Sequence, residues 1–167
     1  VFREAIATHV GELRSIDVKP SQVVVTPGGK PVMFYTLLAL IEPGDEVVYP
    51  DPGFPIYGSL IRYAGAKPVP MPLLESSDFS FDVDHLRSIV SGKTKLLILN
   101  SPQNPTGGVL GKAALQEVAE LCIKHDVTVL SDEIYSRLLY DDQFESITQF
   151  DGMIERTAIL DGFSKTY

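Results

Sequence analysis

Two reactive side chains follow short apolar runs of the sequence. Asp132 closes the run VTVLSD, and Tyr135 comes three residues later. Asp132 could cap a following helix, or its carboxylate could pair with a cationic ligand nitrogen in a pocket that Tyr135 also reaches. Lys165 follows the run TAIL. A lysine is usually a solvated surface residue, but partial desolvation would free its amine to attack an aldehyde.

Two turn-forming segments could hold the rest of a ligand. Gly28 and Gly29 precede a predicted helix, either as a plain turn or as a site where backbone N–H groups and the positive helix end meet a phosphate. The segment matches neither G-x-G-x-x-G nor G-x-x-x-x-G-K-[ST], so nucleotide binding is poorly supported. Asn104, in Asn104-Pro105-Thr106-Gly107, reads as a structural turn or as an amide that donates to a ligand oxygen.

A sheet edge would bring these residues together. Short strand-like runs lie at 23–26, 47–49, 67–71, 95–100, 127–132 and 157–162, and helical patterns lie at 1–16, 31–42, 82–90 and 111–125. The alternation indicates βαβ units and a mostly parallel sheet, and hence one three-layer α/β/α domain. In such sheets ligands bind beyond the carboxyl ends of the strands, which is where the reactive residues fall.

Composition excludes several functional classes. The net charge of −8 over 167 residues argues against nucleic acid as a partner, because phosphate-backbone binding relies on clustered Lys and Arg. No apolar run approaches the ~20 residues of a membrane span, and the N-terminal segment lacks the apolar stretch of a signal peptide. The single Cys122 cannot form an internal disulfide, so we expect a structural thiol in a cytoplasmic protein.

Three motifs, SPQNPTGG, SDEIYSRLLYD and DGFSKTY, occur in this order along the chain. Together they resemble the class I/II aminotransferases, which are pyridoxal 5'-phosphate (PLP) enzymes of fold type I. The resemblance implies that Lys165 forms a Schiff base with PLP and later shuttles the substrate proton. It also implies that Asp132 pairs with the pyridine nitrogen, while Asn104 and Tyr135 donate to the phenolic oxygen of the cofactor.

The resemblance assigns the remaining cofactor contacts as well. Phe54 matches the aromatic residue that stacks on the ring, and Ile134 would press on the opposite face. The phosphate group would be held by the backbone at three residues, helped by one hydroxyl: Gly28, Gly29, Lys30 and Ser164. Gly162 stands where many relatives have a serine, so we expect one phosphate contact to be missing or replaced by water.

The resemblance further implies a longer, homodimeric enzyme acting on an amino acid and a 2-oxo acid. Residues 1–167 would be part of its PLP-binding large domain, without the small domain and the substrate-binding arginine, and we expect no full turnover from them alone. Two alternatives stay open. One is another PLP reaction, such as C–S β-elimination, decarboxylation or racemisation. The other is a ligand-sensing domain of a transcriptional regulator.

Overall fold

A single parallel sheet forms the centre of the computed structural model, which describes residues 1–140 and 143–167. Its strands are β1 (Glu46–Asp51), β2 (Lys67–Pro72), β3 (Thr94–Asn100), β4 (Thr128–Asp132) and β5 (Thr157–Leu160). Their order across the sheet is β2-β1-β3-β4-β5, and every neighbouring pair is parallel. The predicted α/β fold class is therefore confirmed. Asp141, the last residue of the SDEIYSRLLYD motif, lies outside the described residues.

Helices connect the strands. They are α1 (Phe2–Arg14), α2 (Gly29–Leu40), α3 (Ile56–Tyr63), α4 (Val83–Ile89) and α5 (Lys112–His125), with short 3-10 turns at Pro20–Gln22, Glu75–Ser77, Ile147–Gln149 and Ile154–Arg156. Asp82 caps α4 as predicted, because its carboxylate accepts from the Asp84 N–H at 2.8 Å. The sequence analysis missed α3, since it has only eight residues with a glycine inside.

Two apolar layers cover the two faces of the sheet. Successive residues of β3 point to opposite faces, so Leu97 and Leu99 join one layer while Leu96 and Ile98 join the other. The first layer includes residues of α4 and α5, and the second includes residues of α2 and α3. This arrangement gives the three-layer α/β/α architecture and fixes the carboxyl edge of the sheet.

The predicted strand at 23–26 is wrong. The segment belongs to no strand, and Val24 and Val25 are 79% and 51% exposed. Its β-branched residues favour extended backbone, but a strand also needs a partner for its N–H and C=O groups. Within the described ranges the segment pairs with no strand of the sheet.

Candidate active site

The carboxyl ends of β3, β4 and β5 bring the predicted site residues to one edge of the sheet. Asn100 lies opposite Asp132 in the strand pairing, and Asp132 lies opposite Leu160. A Cβ atom added to Gly29 would lie 3.2 Å from Leu160 Cδ2. The start of α2 is therefore packed against the end of β5, the strand that leads to Lys165.

Asp132 is a buried carboxylate with neutral hydrogen-bond donors. Only 3% of it is exposed, and its Oδ2 accepts from the Tyr57 hydroxyl at 2.6 Å while Oδ1 accepts from the Ile134 N–H at 3.4 Å. No cationic side chain of residues 1–140 or 143–167 lies within salt-bridge distance of it. Burial raises the pKa of Asp132 to about 6, partly opposed by these hydrogen bonds and assisted by the charges of Glu133 and Asp161.

Tyr57 is a site residue that the sequence analysis missed. It lies on α3, is 1% exposed, and packs edge-on against the Phe54 ring with centroids 5.9 Å apart. Burial and the neighbouring Asp132 charge raise the pKa of the Tyr57 phenol, so it remains a donor. A buried tyrosine needs a partner for its hydroxyl, and this requirement is the signal that could have identified it.

Asn104 is held by a second residue that the sequence analysis missed. The Asn104 N–H donates to Asn100 Oδ1 at 2.9 Å, and Asn100 Nδ2 donates to the Asp132 carbonyl oxygen at 3.0 Å. Asn104 is partly exposed, and within the described ranges its side-chain amide has no hydrogen-bond partner. The Asn104 backbone is thus linked to Asp132 through Asn100, and within the described ranges the donors of the Asn104 side chain are unused.

Lys165 lies over the ring of Tyr135, with Nζ 5.7 Å from the ring centroid, a cation–π distance. In the part of the chain that the structure describes, Lys165 has no ion pair and no hydrogen bond. Lys165 and Ser164 are both exposed. The structure therefore brings Lys165 and Tyr135 together, but it does not bury the lysine as the sequence argument assumed.

Gly162, three residues before Lys165, packs against Ile134. A Cβ atom at Gly162 would lie 3.3 Å from Ile134 Cδ1, closer than most real Cβ contacts. Ile134 itself is 8% exposed and belongs to the apolar layer of α2 and α3. A serine at 162 would therefore require Ile134 to shift by a few tenths of an ångström, which gives a packing reason for the glycine.

The glycine turn before α2 leaves room for a ligand at a helix N-terminus. Gly28 has φ +100° and ψ 172°, a conformation that favours glycine, and a Cβ atom there would meet nothing within 4 Å. The Thr26 hydroxyl donates to the Gly28 carbonyl at 2.7 Å and fixes the turn. Lys30 is exposed in the first turn of this twelve-residue helix.

A buried ionic cluster lies beside Asp132. Arg14 on α1 is fully buried, and its Nε donates to Glu133 Oε2 at 2.6 Å while a terminal nitrogen donates to Asp161 Oδ2 at 3.1 Å. These bonds tie α1 to the residues that follow β4 and β5. Further polar members of the cluster are Ser131, Arg137 and Ser146. The sequence analysis missed the cluster.

The model of the family described as aminotransferase class I and II matches residues 1–167. The chain belongs to this family. An aspartate aminotransferase of Pyrococcus abyssi is 42% identical, and the match covers 99% of this chain and 43% of that one. An aromatic-amino-acid aminotransferase 2 of Thermococcus litoralis is 40% identical over the same shares of the two chains. The chain thus spans less than half the length of these relatives.

Solved structures of the family agree in fold. The aromatic aminotransferase from Pyrococcus horikoshii OT3 superposes with a TM-score of 0.96 at 41% identity, covering 99% of this chain and 44% of that one. A Thermus thermophilus aspartate aminotransferase with maleate gives 0.92 at 36% identity, covering 96% and 41%. Members of the aminotransferase class I and II family use PLP.

Proposed function

We propose that residues 1–167 form part of the PLP-binding large domain of an aminotransferase that transfers an amino group from an amino acid to a 2-oxo acid. The observation that supports this most strongly is Asp132. It is a buried carboxylate at the ligand-binding edge of the sheet, and in the described ranges its partners are neutral. A protonated ring nitrogen would supply the missing positive charge and lower the pKa of Asp132.

The other residues at this edge fit the remaining groups of PLP. The side-chain amide of Asn104 and the hydroxyl of Tyr135 can donate to the phenolic oxygen. The open space at Gly28 and the N–H groups that begin α2 suit a phosphate. The family model covers every one of these positions.

In this proposal PLP supplies, when bound, an electron-withdrawing ring that stabilises the charge left at the substrate Cα after its proton departs. Lys165 would hold PLP through its Nζ, and the same nitrogen, when free and unprotonated, would accept the Cα proton and hold it. Asp132 would present its negative charge to the ring nitrogen, and the Tyr57 hydroxyl orients the Asp132 carboxylate.

Shape and packing would orient the ring. Phe54 packs edge-on against Tyr57, and Ile134 belongs to the apolar layer of α2 and α3. The proposal assigns these two side chains to the two faces of the ring. The backbone at Gly28, Gly29 and Lys30, with the exposed Ser164 hydroxyl, would bind the phosphate. Gly162 contributes no hydroxyl.

We propose that the full-length protein, which is the species to be tested, is a homodimer in which a second copy packs on the outer face of α2. Four large apolar side chains there and nearby are exposed: Tyr35 56%, Leu38 50%, Leu40 38% and Tyr63 72%. Sedimentation of wild type and Leu38→Glu tests this proposal. The expected result is a dimer for wild type and a monomer for the variant, and a monomeric wild type would contradict it.

The cytoplasm is the proposed compartment, and amino acid metabolism the proposed setting. Burial raises the pKa of the Cys122 thiol to about 12, so this cysteine is an unreactive core residue that suits a reducing compartment. In the two described ranges, no helix has both the length and the apolar character to cross a bilayer. The net charge of −8 does not favour nucleic acid as a partner.

A half-reaction distinguishes the proposal from its alternatives. The chain is loaded with PLP and mixed with single amino acids in the absence of any 2-oxo acid, and the products are identified by mass spectrometry. The proposal expects stoichiometric pyridoxamine phosphate and one 2-oxo acid, both lost in Lys165→Ala. Pyruvate and ammonia in excess of PLP would instead indicate elimination, and PLP binding without any product in the full-length protein would indicate a sensing domain. Sustained turnover is a separate readout, which we do not expect from residues 1–167 alone.

A further inference from the structure

Asn100, at the carboxyl end of β3, makes side-chain hydrogen bonds in three directions. It is 5% exposed, and its Nδ2 donates to the carbonyl oxygens of Asp132 at 3.0 Å and Pro102 at 3.2 Å. Its Oδ1 accepts from the Asn104 N–H at 2.9 Å. Both ends of the amide are thus engaged, as a buried polar side chain requires.

These bonds join the last residue of one strand to the loop that follows its neighbour. Asp132 ends β4, whereas Asn104 lies in the loop that follows β3. The Asp132 carbonyl oxygen also accepts from the Ser101 N–H at 3.3 Å, so the backbone alone provides a weaker link at the same point. The Asn100 side chain is the contact that reaches Asp132 and Asn104 together.

The loop has a separate brace that does not involve β4. Gln103 Nε2 donates to the Pro52 carbonyl oxygen at 2.8 Å, and Gln103 Oε1 accepts from the Thr106 N–H at 2.8 Å. Gln103 therefore shapes the loop and ties it to the segment after β1. Among the side chains that shape the loop, Asn100 is the one that bonds to Asp132.

We infer that Asn100 is a positioning residue that sets the separation between the Asn104 amide and the Asp132 carboxylate, and thereby controls how tightly and in which protonation state PLP is held. This inference rests on the proposed function, because Asn104 and Asp132 matter together only if both contact one ligand. Asn100 itself would not contact the cofactor.

The test combines four variants with two readouts. Asn100→Ala, Asn104→Ala, the double variant and Ser101→Ala are titrated with PLP, and the absorbance of the PLP–lysine chromophore is followed against pH. Ser101→Ala is the matched control, since it removes a different side-chain bond of the same loop, from the Leu110 N–H at 2.9 Å.

We expect Asn100→Ala to weaken PLP binding on the order of tenfold, the effect of one lost hydrogen-bond partner of a buried group. It should also raise the pKa of the chromophore, because a misplaced Asn104 no longer stabilises the phenolic anion. The double variant should match Asn104→Ala in chromophore pKa, as two residues acting through one contact are not additive. Ser101→Ala should change neither readout.

An unchanged chromophore pKa in folded Asn100→Ala, or additive shifts in the double variant, would overturn the inference. If Asn100→Ala does not fold, Asn100→Asp keeps the volume and the acceptor but removes the donors to Asp132. It should also bind PLP more weakly, and wild-type affinity would contradict the inference. A wild-type chain without a Lys165-dependent chromophore would be a different result, because it would overturn the proposed function itself.

Discussion

Asp132 and Glu133 are adjacent, buried carboxylates with opposite surroundings. Glu133 is 2% exposed and accepts from the Arg14 guanidinium at 2.6 Å and from the Ser131 and Ser146 hydroxyls at 2.7 Å each. Asp132 is 3% exposed and accepts from one hydroxyl and one backbone amide. The chain thus supplies a cation to one carboxylate and, in the described ranges, none to its neighbour.

The difference separates a structural role for Glu133 from the proposed ligand-binding role of Asp132. A buried charge is costly unless it is paired, so Glu133 with its arginine ties α1 to the sheet at tolerable cost. Burial of the unpaired Asp132 charge destabilises the unliganded chain, and a cationic ligand would remove this destabilisation. Groups with strongly shifted pKa values in a cleft are typical of functional sites.

The largest change in the free energy of unfolding is expected when the ion pair of Glu133 with Arg14 is broken. Arg14→Met leaves the buried Glu133 and the partly buried Asp161 with one guanidinium fewer, and we expect a loss of about 3–5 kcal/mol in the free energy of unfolding. Urea unfolding measures the loss. Adding Glu133→Gln should recover part of it, because the unpaired charge is then removed. A loss below about 1 kcal/mol, the size of a surface ion pair, would mean that the buried cluster does not have the structural role assigned to it.

A substitution at Asp132 is expected to have a smaller effect and to raise the free energy of unfolding. Its folded pKa is raised from 3.8 to about 6, so the folded chain binds the proton more tightly and loses stability as the pH rises through this window. Asp132→Asn should therefore stabilise the unliganded chain by roughly 2–3 kcal/mol near pH 7 but not near pH 4. Urea unfolding at the two pH values checks this, and a pH-independent difference would contradict it. The same variant should bind PLP less tightly.

Tyr57→Phe is expected to have the smallest effect of the three substitutions on the free energy of unfolding. It removes the hydroxyl that donates to Asp132 at 2.6 Å, which we expect to cost roughly 1–2 kcal/mol of stability near pH 7. The cost should shrink toward acid pH, because a protonated Asp132 needs the donor less. Phe54→Leu is the matched control. It changes the same apolar contact without touching the carboxylate, so its cost should not vary with pH.

The sequence predicted those features that depend on local pattern. The strands near 47–49, 67–71, 95–100, 127–132 and 157–162, and with them the edge that carries Asn104, Asp132 and Lys165, follow from alternation and from the strand-end rule. The prediction of a strand at 23–26 was wrong because strand pairing depends on a partner that local propensity does not specify.

Residues that act through distant contacts were not predictable in this way. Tyr57 reaches Asp132 across 75 positions of the sequence, and Arg14 reaches Glu133 across 119. In the sequence, Arg14 is one charged residue of an amphipathic helix, and its complete burial arises only when the fold brings it to Glu133 and Asp161. The exposure of Lys165 is likewise a property of the fold rather than of the motif.

The central claim is that PLP attaches at Lys165. The chain is incubated with PLP, the C=N bond is reduced with borohydride, and the modified lysine is located by peptide mapping in wild type, Lys165→Ala and the surface control Lys112→Ala. Because Lys165 is exposed and unpaired within the described ranges, its loss should change stability by less than about 0.5 kcal/mol, so all three proteins should be folded. We predict one dominant adduct at Lys165, retained in Lys112→Ala and absent in Lys165→Ala. An adduct spread over surface lysines, or one that persists in Lys165→Ala, would contradict the claim.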